Sequence, residues 1–305
     1  MAGSQDYQAD PRNETVVVYL NGALTPRAEA MVSIFDAGFS MGDGVWEGLR
    51  LHRGALLFLD AHLDRLFEGA KALALDIGLD RAGLKNALRR TLEANGMTDG
   101  VHVRVMVTRG LKATVSQDPR NALGRATIAI VAEFKVPPTA TVQRGLRLAT
   151  VSVRCTPASM FDMRLNTHSR LNLITALLEA IEAGADEALM LDPFDFVSSC
   201  NATNFFFIRG GQVFTSAGAY CFNGITRGHV IELCRVNGIP IDLSDFPVEA
   251  ARAADEAFVT GTTAGLTPVS EIDGHMMSAA PGPLTLRLQA LYSALQDAEA
   301  GRTRV

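Results

Sequence analysis

The stretch Thr260-Gly261-Thr262-Thr263-Ala264-Gly265 directly follows the apolar segment Ala257–Val259, which has the composition of a buried β-strand. Small residues at a strand end allow a ligand to approach the backbone closely, and threonine hydroxyls can donate hydrogen bonds to phosphate oxygens. A plain strand-end loop has the same composition. This loop alone therefore leaves two interpretations open, a phosphate site and an ordinary turn.

A second glycine turn, Gly224-Ile225-Thr226-Arg227, precedes a helical pattern that carries Val230, Ile231 and Leu233. The start of a helix exposes backbone N–H groups, and the helix dipole adds partial positive charge. An anion such as phosphate would fit there, although an ordinary turn and N-cap explains the same residues. Two such turns in one chain are compatible with a ligand that carries a phosphate group.

Composition excludes several classes of protein. The chain has 305 residues, of which 48% are hydrophobic and 20% charged, so it is neither disordered nor fibrous. The net charge of −5 without a long basic run argues against nucleic acid, and no apolar run approaches the roughly 20 residues that span a bilayer. The polar N-terminus lacks the apolar stretch of a signal peptide. Scattered cysteines without zinc spacing predict a reduced, cytoplasmic protein without a metal site.

We predict an α+β chain of two domains. A flexible tail covers residues 1–14, and an N-terminal α+β domain covers 15–133. A linker at 134–145 contains Pro137-Pro138, and a C-terminal cofactor-binding domain covers 146–305. The predicted strands lie at 15–20, 102–108, 126–132, 146–153, 187–191, 204–208 and 257–260. The predicted helices lie at 58–73, over Leu84, Leu88 and Leu92 up to Asn95-Gly96, along the apolar stripe Leu171, Ile174, Leu178 and Ile181 up to Gly184, near 228–237 and near 284–295.

Several motifs together carry a resemblance. In chain order they are His62-Leu63-Asp64-Arg65-Leu66, GADEALMLD at 184–192, Asn204-Phe205-Phe206-Phe207, and the two glycine loops, and Ser33–Asp36 and Gly42–Gly48 add to them. This order resembles the class IV aminotransferases. The resemblance implies an α+β, two-domain fold-type IV aminotransferase-like fold, similar to D-amino acid and branched-chain aminotransferases. It also implies pyridoxal 5'-phosphate as cofactor, an amino acid or amine as small-molecule substrate, and a homodimer.

The resemblance also assigns residues. The cofactor phosphate would be bound by Arg65, Ile225, Thr226, Thr262 and Thr263, and the substrate would lie near Phe39, His102 and Arg104. From its own sequence context, Arg65 is open to a second interpretation, a salt-bridged surface arginine.

The sequence departs from the family at the reacting centre. Counting back from Gly184, the position of the lysine that forms the Schiff base holds Asn166, or Leu165 if the count shifts by one residue, and no lysine follows Lys135. Ser199 occupies the position of the glutamate that keeps the pyridine nitrogen protonated, and Arg170 stands in or next to the place of a tyrosine. An amide has no basic lone pair, so ordinary transamination and a covalent aldimine are not expected.

Two functions follow from these residues. In the first, Asn166, His168 and Arg170 form the catalytic group, with Ser199 at the cofactor, and His168 is the acid–base candidate of a lysine-independent aminotransferase-like enzyme. In the second, the chain is a lysine-less homologue with a rebuilt pocket, either a cofactor-independent enzyme or a non-catalytic protein that binds a phosphate ligand. A structural role for His168 remains open, and Cys200 is expected to be buried and inert.

Overall fold

The computed structural model describes residue 3, residues 8–135 and residues 143–302, and these residues divide into two compact units. The first unit contains Ala9–Lys135, Leu165–Arg170 and the residues from Gln296 onward. The second unit contains the described residues from 143 to Arg164 together with Leu171–Leu295. The division differs from the predicted one, because the short segment Leu165–Arg170 and the C-terminal residues group with the N-terminal part of the chain.

In the described part of the first unit, six strands form one antiparallel sheet in the order β2-β1-β6-β5-β3-β4. The strands are β1 (Val17–Leu20), β2 (Ala23–Pro26), β3 (Gly44–His52), β4 (Ala55–Leu56), β5 (Val101–Thr108) and β6 (Thr127–Phe134). Residues 102–108 and 126–132 were predicted as strands, and both predictions are confirmed.

The helices of the first unit are α1 (Ala37–Met41), α2 (Leu59–Ala72) and α3 (Arg81–Ala94). The predicted helices at 58–73 and before Asn95-Gly96 are confirmed. Their apolar faces, with Leu63 and Leu88 fully buried, pack on the sheet. Near the C-terminus, Ala300 packs with Ala55 and Leu57 in a small separate cluster.

Strand β5 shows how this sheet separates core from polar surface. Val101, Val103, Val105 and Val107 are fully buried in the core, whereas the alternate positions, including His102 and Arg104, are partly buried. Because successive side chains of a strand point to opposite faces, the polar residues of β5 all lie on the face away from the core.

In the second unit, the described strands form a mixed sheet in the order β12-β11-β10-β13-β14-β7-β8-β9, with β15 paired to β14. The strands are β7 (Leu146–Thr150), β8 (Glu187–Leu191), β9 (Val197–Cys200), β10 (Asn204–Arg209), β11 (Gln212–Thr215), β12 (Ile241–Leu243), β13 (Glu256–Gly261), β14 (Gly265–Ile272) and β15 (His275–Met276). The helices are α4 (Leu171–Glu182), α5 (Ile225–Val236), α6 (Val248–Arg252) and α7 (Pro283–Arg302), and the residues of α7 from Gln296 onward belong to the first unit. Strand β10 is buried on both faces, as its continuous apolar sequence predicts.

Helix α4 was predicted from an apolar stripe, and its existence is confirmed. The stripe itself does not face the core, because Leu171 and Leu178 are 75% and 60% exposed and Ile174 and Ile181 are also exposed. The helix packs instead through the small residues Ala176 and Ala180. Periodicity identifies the helix but does not say which of two apolar faces is covered.

The last residues of the predicted tail, 11–14, form regular structure and contact the sheet of the first unit. Pro11–Glu14 form a 3-10 helix, and the Asn13 side chain exchanges two hydrogen bonds with the backbone of Phe134 at 2.9 and 2.8 Å. The predicted linker begins on this same residue, the last of β6, whereas Pro137-Pro138 lies outside the described residues. No described helix is long and apolar enough to cross a membrane.

We expect Leu88→Ala to lower the free energy of unfolding of the first unit by about 2–5 kcal/mol, because this side chain is completely buried between α3 and the sheet. Urea unfolding followed by circular dichroism measures the change. Leu123→Ala, at a 64% exposed leucine of the same unit, is the matched control and should change the value by less than about 0.5 kcal/mol. Equal effects of the two substitutions would contradict the described core.

Candidate active site

In the second unit, Asn204 fixes the loop that leads into α5. Its side-chain Nδ2 donates to the carbonyl oxygen of Phe222 at 2.6 Å, and its Oδ1 accepts from the backbone N–H of Gly224 at 3.1 Å. The packing is close, because a Cβ added at Gly224 would lie 2.4 Å from that Oδ1. Glycine is therefore required at position 224, and the start of α5 is held in one place.

Helix α5 begins without a side-chain cap, since Gly224 occupies the N-cap position. Ile225 and Thr226 are the first two residues of the helix, so their N–H groups lie in the first turn, where the helix dipole favours an anion. The resemblance predicts these two residues at the cofactor phosphate, and a helix start without a side-chain cap can bind an anion there.

Tyr292 connects α5 to the second glycine loop. Its hydroxyl oxygen lies 3.4 Å from Thr226 Oγ1, and its ring would lie 3.2 Å from a Cβ at Gly265. Gly265 closes the turn that contains Thr262 and Thr263, between β13 and β14. The two predicted phosphate loops are therefore neighbours in the second unit. Sequence reasoning missed Tyr292, because a single tyrosine in a helical pattern carries no signal of its role.

A buried hydroxyl adds to this group, which we call the threonine cup (Thr226, Thr260, Thr262, Thr263 and Tyr292). Thr260 pairs with Asn204 across β13 and β10, and it is 2% exposed. In the described part of the chain its Oγ1 has no hydrogen-bond partner. A buried hydroxyl without a partner costs free energy, which a bound ligand with acceptor oxygens would recover.

Ser199 lies at the end of β9, next to Asn204. Its Oγ donates to the carbonyl oxygen of Thr203 at 2.8 Å, and it accepts from Asn204 Nδ2 at 3.3 Å. A hydroxyl has one proton to donate. In this arrangement Ser199 offers only acceptor capacity to a further partner, unlike a carboxylate, which would also attract a proton electrostatically.

In the first unit, Asn166 is held by strand β3 and cannot turn freely. Its Nδ2 donates to the carbonyl oxygen of Trp46 at 2.6 Å, and its own carbonyl oxygen accepts from the Trp46 N–H at 3.0 Å. The amide Oδ1 accepts from Arg170 Nη2. Asn166 is thus a buried residue, at 5% exposure, that joins its segment to β3.

Arg170 reaches back over the same segment. Its Nε donates to the carbonyl oxygen of Thr167 at 3.0 Å, an oxygen that also accepts from the indole N–H of Trp46 at 2.9 Å. Burial, followed by the charges of Arg65 and Arg104, lowers the pKa of Arg170 to about 10. Arg170 therefore stays cationic at neutral pH and cannot serve as an amine nucleophile.

Arg65 forms a bidentate ion pair with Glu47, with Nε–Oε1 and Nη2–Oε2 distances of 2.7 Å. His62 Nδ1 lies 2.7 Å from Glu47 Oε2. Burial raises the pKa of the Glu47 carboxyl, but the hydrogen bonds from Arg65 and His62 outweigh burial and leave the pKa below its usual value. Of the two interpretations of Arg65, the salt bridge is present, and its acid is buried. Binding of phosphate by Arg65 stays a prediction.

The surroundings of two further histidines of the first unit lower their pKa values and favour the neutral ring. Burial, with the nearby charge of Arg104, lowers the pKa of His102 to about 3. Burial and Arg104 also lower the pKa of His168, against a hydrogen bond with the Val45 backbone, and its Nε2 has no partner among the described residues. His168 lies close to the backbone, since a Cβ at Gly44 would be 2.6 Å from its ring. A neutral imidazole with an unpaired nitrogen can accept a proton.

The structure does not gather all the predicted residues into one unit. Asn166, His168 and Arg170 lie together in the first unit, with Arg65, His102 and Arg104. Ser199 and the threonine cup lie in the second unit.

Phe39 lies on α1 and is 73% exposed. Cys200 is buried as predicted, and burial raises the pKa of its thiol. Trp46 and Glu47 are the partners that sequence reasoning left without a role.

The chain was compared with known proteins. The family model for amino-transferase class IV matches residues 44–272. The chain is 38% identical over 288 residues to branched-chain-amino-acid aminotransferase-like protein 2 of Arabidopsis thaliana, covering 94% of this chain and 51% of the relative. It is 36% identical over 278 residues to a putative branched-chain-amino-acid aminotransferase of Methanocaldococcus jannaschii, covering 90% and 94%. The chain thus spans about half the length of the Arabidopsis protein.

Among solved structures, the chain is similar to the branched-chain aminotransferase of Thermoproteus uzoniensis with norvaline. The TM-score is 0.84 at 30% identity, and the match covers 94% of this chain and 95% of that one. A second branched-chain amino acid aminotransferase, complexed with N-(5'-phosphopyridoxyl)-L-glutamate, matches with a TM-score of 0.85 at the same identity and coverage. The predicted fold-type IV aminotransferase-like fold is confirmed by this likeness. Since the family model extends over most of the sequence, the chain belongs to the class IV aminotransferases.

Proposed function

We propose that this chain is an aminotransferase-like enzyme that binds pyridoxal phosphate without a covalent bond and acts on an amino acid or amine. The threonine cup carries the proposal, because it joins an uncapped helix start to a buried hydroxyl without a partner. Class IV aminotransferases use pyridoxal phosphate, whose phosphate such a cup would bind. We also propose that the protein is cytoplasmic and that it forms a homodimer. The exposed apolar stripe on α4 supports the homodimer.

The residues present fit the cofactor's phosphate but not its covalent attachment. Ile225, Thr226, Thr262 and Thr263 would hold the phosphate, and Ser199 would accept a hydrogen bond from the ring. The position of the lysine holds Asn166, whose amide is fully engaged with Trp46 and Arg170. When bound, pyridoxal phosphate supplies an electron sink for the carbon that loses its proton.

The chain's own residues supply the remaining roles. Arg104 lies on the polar face of β5 and would bind a substrate carboxylate. His168 accepts a proton at Nε2, because its other ring nitrogen is directed to the Val45 backbone and its lowered pKa keeps the ring neutral. Arg170 stabilises developing negative charge without exchanging its own proton.

One observation favours a second candidate function. Asn166 exchanges hydrogen bonds with the Trp46 backbone of β3, as a residue with a structural role would do. This favours a lysine-less homologue with a rebuilt pocket, either a cofactor-independent enzyme or a non-catalytic protein that binds a phosphate ligand. Cofactor binding separates the two candidates.

We expect one equivalent of pyridoxal phosphate to bind, and borohydride reduction to leave the intact mass of the chain unchanged, because the site offers no amine. Visible absorbance after equilibrium dialysis and intact mass spectrometry are the measurements. A colourless protein after dialysis would refute the first function. A gain in mass equal to the reduced cofactor would show that an amine of the chain binds the cofactor covalently, and would contradict non-covalent binding.

We expect Thr226→Val to weaken cofactor binding about tenfold, since it removes one hydroxyl donor to a charged group while keeping the side-chain shape. Equilibrium dialysis against pyridoxal phosphate measures the affinity. Thr175→Val, at an exposed threonine of α4, is the matched control. An unchanged affinity in the Thr226 variant would remove the threonine cup from the binding site.

We expect Asn166→Lys combined with Ser199→Glu to raise the rate of 2-oxo acid formation from an amino acid donor by about a hundredfold or more. The cations Arg65, Arg104 and Arg170 around this position would lower the pKa of the introduced amine and make it nucleophilic. Asn166→Gln with Ser199→Glu is the control. If the lysine variant gains no activity, more than these two groups separates the chain from ordinary transamination.

A further inference from the structure

We propose that Tyr292 is a positioning residue that links anion binding at the threonine cup to the docking of helix α7 in the second unit. Through this link, an anion in the cup stabilises the part of α7 that belongs to the unit, residues 283–295, and docking of α7 raises the affinity of the cup for the anion. The inference rests on the proposed binding of a phosphate group at the cup, and it adds to that binding a helix that is distant in sequence. Inorganic phosphate serves as the probe, so the inference is tested separately from pyridoxal phosphate.

Two buried hydroxyl groups carry the link. Tyr292 and Thr226 are both buried, and their hydroxyl oxygens lie 3.4 Å apart. A hydroxyl has one proton to donate. When Thr226 donates that proton to a ligand oxygen, the hydrogen bond between the two side chains persists only with Tyr292 as its donor. Tyr292 therefore orients the Thr226 proton toward the ligand.

The distance between these oxygens leaves room for the hydrogen bond to strengthen. A separation of 3.4 Å is long for two hydroxyl groups, whose oxygens lie about 2.7–2.8 Å apart in most hydrogen bonds. A hydroxyl that donates to an anion becomes a better acceptor, because hydrogen bonds in a chain polarise one another. An anion that accepts from Thr226 therefore shortens and strengthens the hydrogen bond from Tyr292, and α7 is held more firmly.

The ring of Tyr292 contacts the other loop of the cup. A Cβ added at Gly265 would lie 3.2 Å from Tyr292 Cε1, so the ring fills the space beside that glycine. Gly265 pairs with Gly261 across β14 and β13 and closes the turn that contains Thr262 and Thr263. One side chain of α7 thus contacts both loops, with its hydroxyl at the start of α5 and its ring at the β13–β14 turn.

Two further contacts of α7 reach the same pair of strands. Gln289, which lies three residues before Tyr292 and therefore on the same face of the helix, donates from Nε2 to the carbonyl oxygen of Leu266 at 3.0 Å. At the start of α7, the Glu256 carboxylate accepts from the N–H of Thr285 at 2.8 Å. Leu266 belongs to β14 and Glu256 to β13, so a shift of α7 is transmitted to both strands that flank the turn.

The cup contains donors that an anion would satisfy. The Thr260 hydroxyl is buried and has no partner among the described residues, and α5 begins without a side-chain cap. An anion that accepts from these groups stabilises the arrangement of the loops against which Tyr292 packs. Because coupling between two events is reciprocal, phosphate stabilises docked α7 by the same factor by which docked α7 strengthens phosphate binding.

A double-mutant cycle tests the link, with binding of inorganic phosphate to the whole chain measured by isothermal titration calorimetry. We expect Tyr292→Phe to weaken phosphate binding about fivefold, because it removes one hydroxyl and keeps the ring beside Gly265. Thr226→Val should weaken binding about tenfold, and the double variant should bind no more weakly than Thr226→Val alone, because Tyr292 acts through that hydroxyl. Tyr19→Phe, at a buried tyrosine of the first unit, is the matched control and should leave the affinity unchanged.

Circular dichroism checks that each variant is folded. Losses that multiply in the double variant would overturn the proposal, because the two hydroxyl groups would then act independently. An unchanged affinity in Tyr292→Phe, or an absence of phosphate binding to the unmodified chain, would overturn it as well.

Hydrogen exchange of residues 284–295, followed by mass spectrometry, measures the link in the other direction. We expect saturating phosphate to slow exchange in this part of α7 about fivefold in the unmodified chain and in Tyr19→Phe, and to leave it unchanged in Tyr292→Phe. Exchange that does not respond to phosphate in the unmodified chain would overturn the proposal. If pyridoxal phosphate fails to bind while the cycle is non-additive, the proposed function fails and this inference stands, and the converse result separates them in the opposite sense.

Discussion

The attachment of the segment Leu165–Arg170 to β3 is the interaction on which the chemistry of the first unit depends. Trp46 and Asn166 exchange hydrogen bonds through backbone and side chain, and the His168 N–H donates to the Gly44 carbonyl oxygen at 2.9 Å. Hydrogen bonds at both Asn166 and His168 therefore hold the backbone of the segment against β3. His168 and Arg170 are therefore presented from a rigid support, as positioned functional groups require.

Around Trp46, burial is the largest influence on the pKa values of His102, Arg104 and Arg170, and it lowers all three. Glu47 is ionised and shared by Arg65 and His62, whereas Arg170 donates to backbone carbonyl oxygens and Arg104 lies over the Trp46 ring. Low polarity strengthens every charge interaction at such a place. Asn166 suits this setting, since its amide oxygen accepts a hydrogen bond from Arg170 where a further positive charge would be repelled.

Local patterns predicted much of the fold, whereas partners distant in sequence escaped prediction. The spacing of Leu84, Leu88 and Leu92 predicted α3, because periodicity reports which side of a helix is apolar. It could not report that the stripe on α4 is exposed, since that depends on what else packs there. The two glycine loops do lie next to each other in the second unit. The contact of Tyr292 with Thr226 joins residues far apart in the chain, and no local pattern encodes it.

The first unit is assembled from three separate stretches of the sequence, so it cannot be completed when its first stretch is made. Its sheet comes from the first part of the chain, but Leu165–Arg170 hydrogen-bonds to the backbone of β3 and Ala300 packs against Ala55 and Leu57. A ribosome releases these pieces in sequence, so the unit remains incomplete until the residues around Ala300 have been made. Contacts of such large sequence separation close slowly, because loop entropy must be lost first. Fragment Ala9–Lys135 alone would emerge with this edge of β3 unpaired, and unpaired strand edges make folding intermediates prone to aggregation.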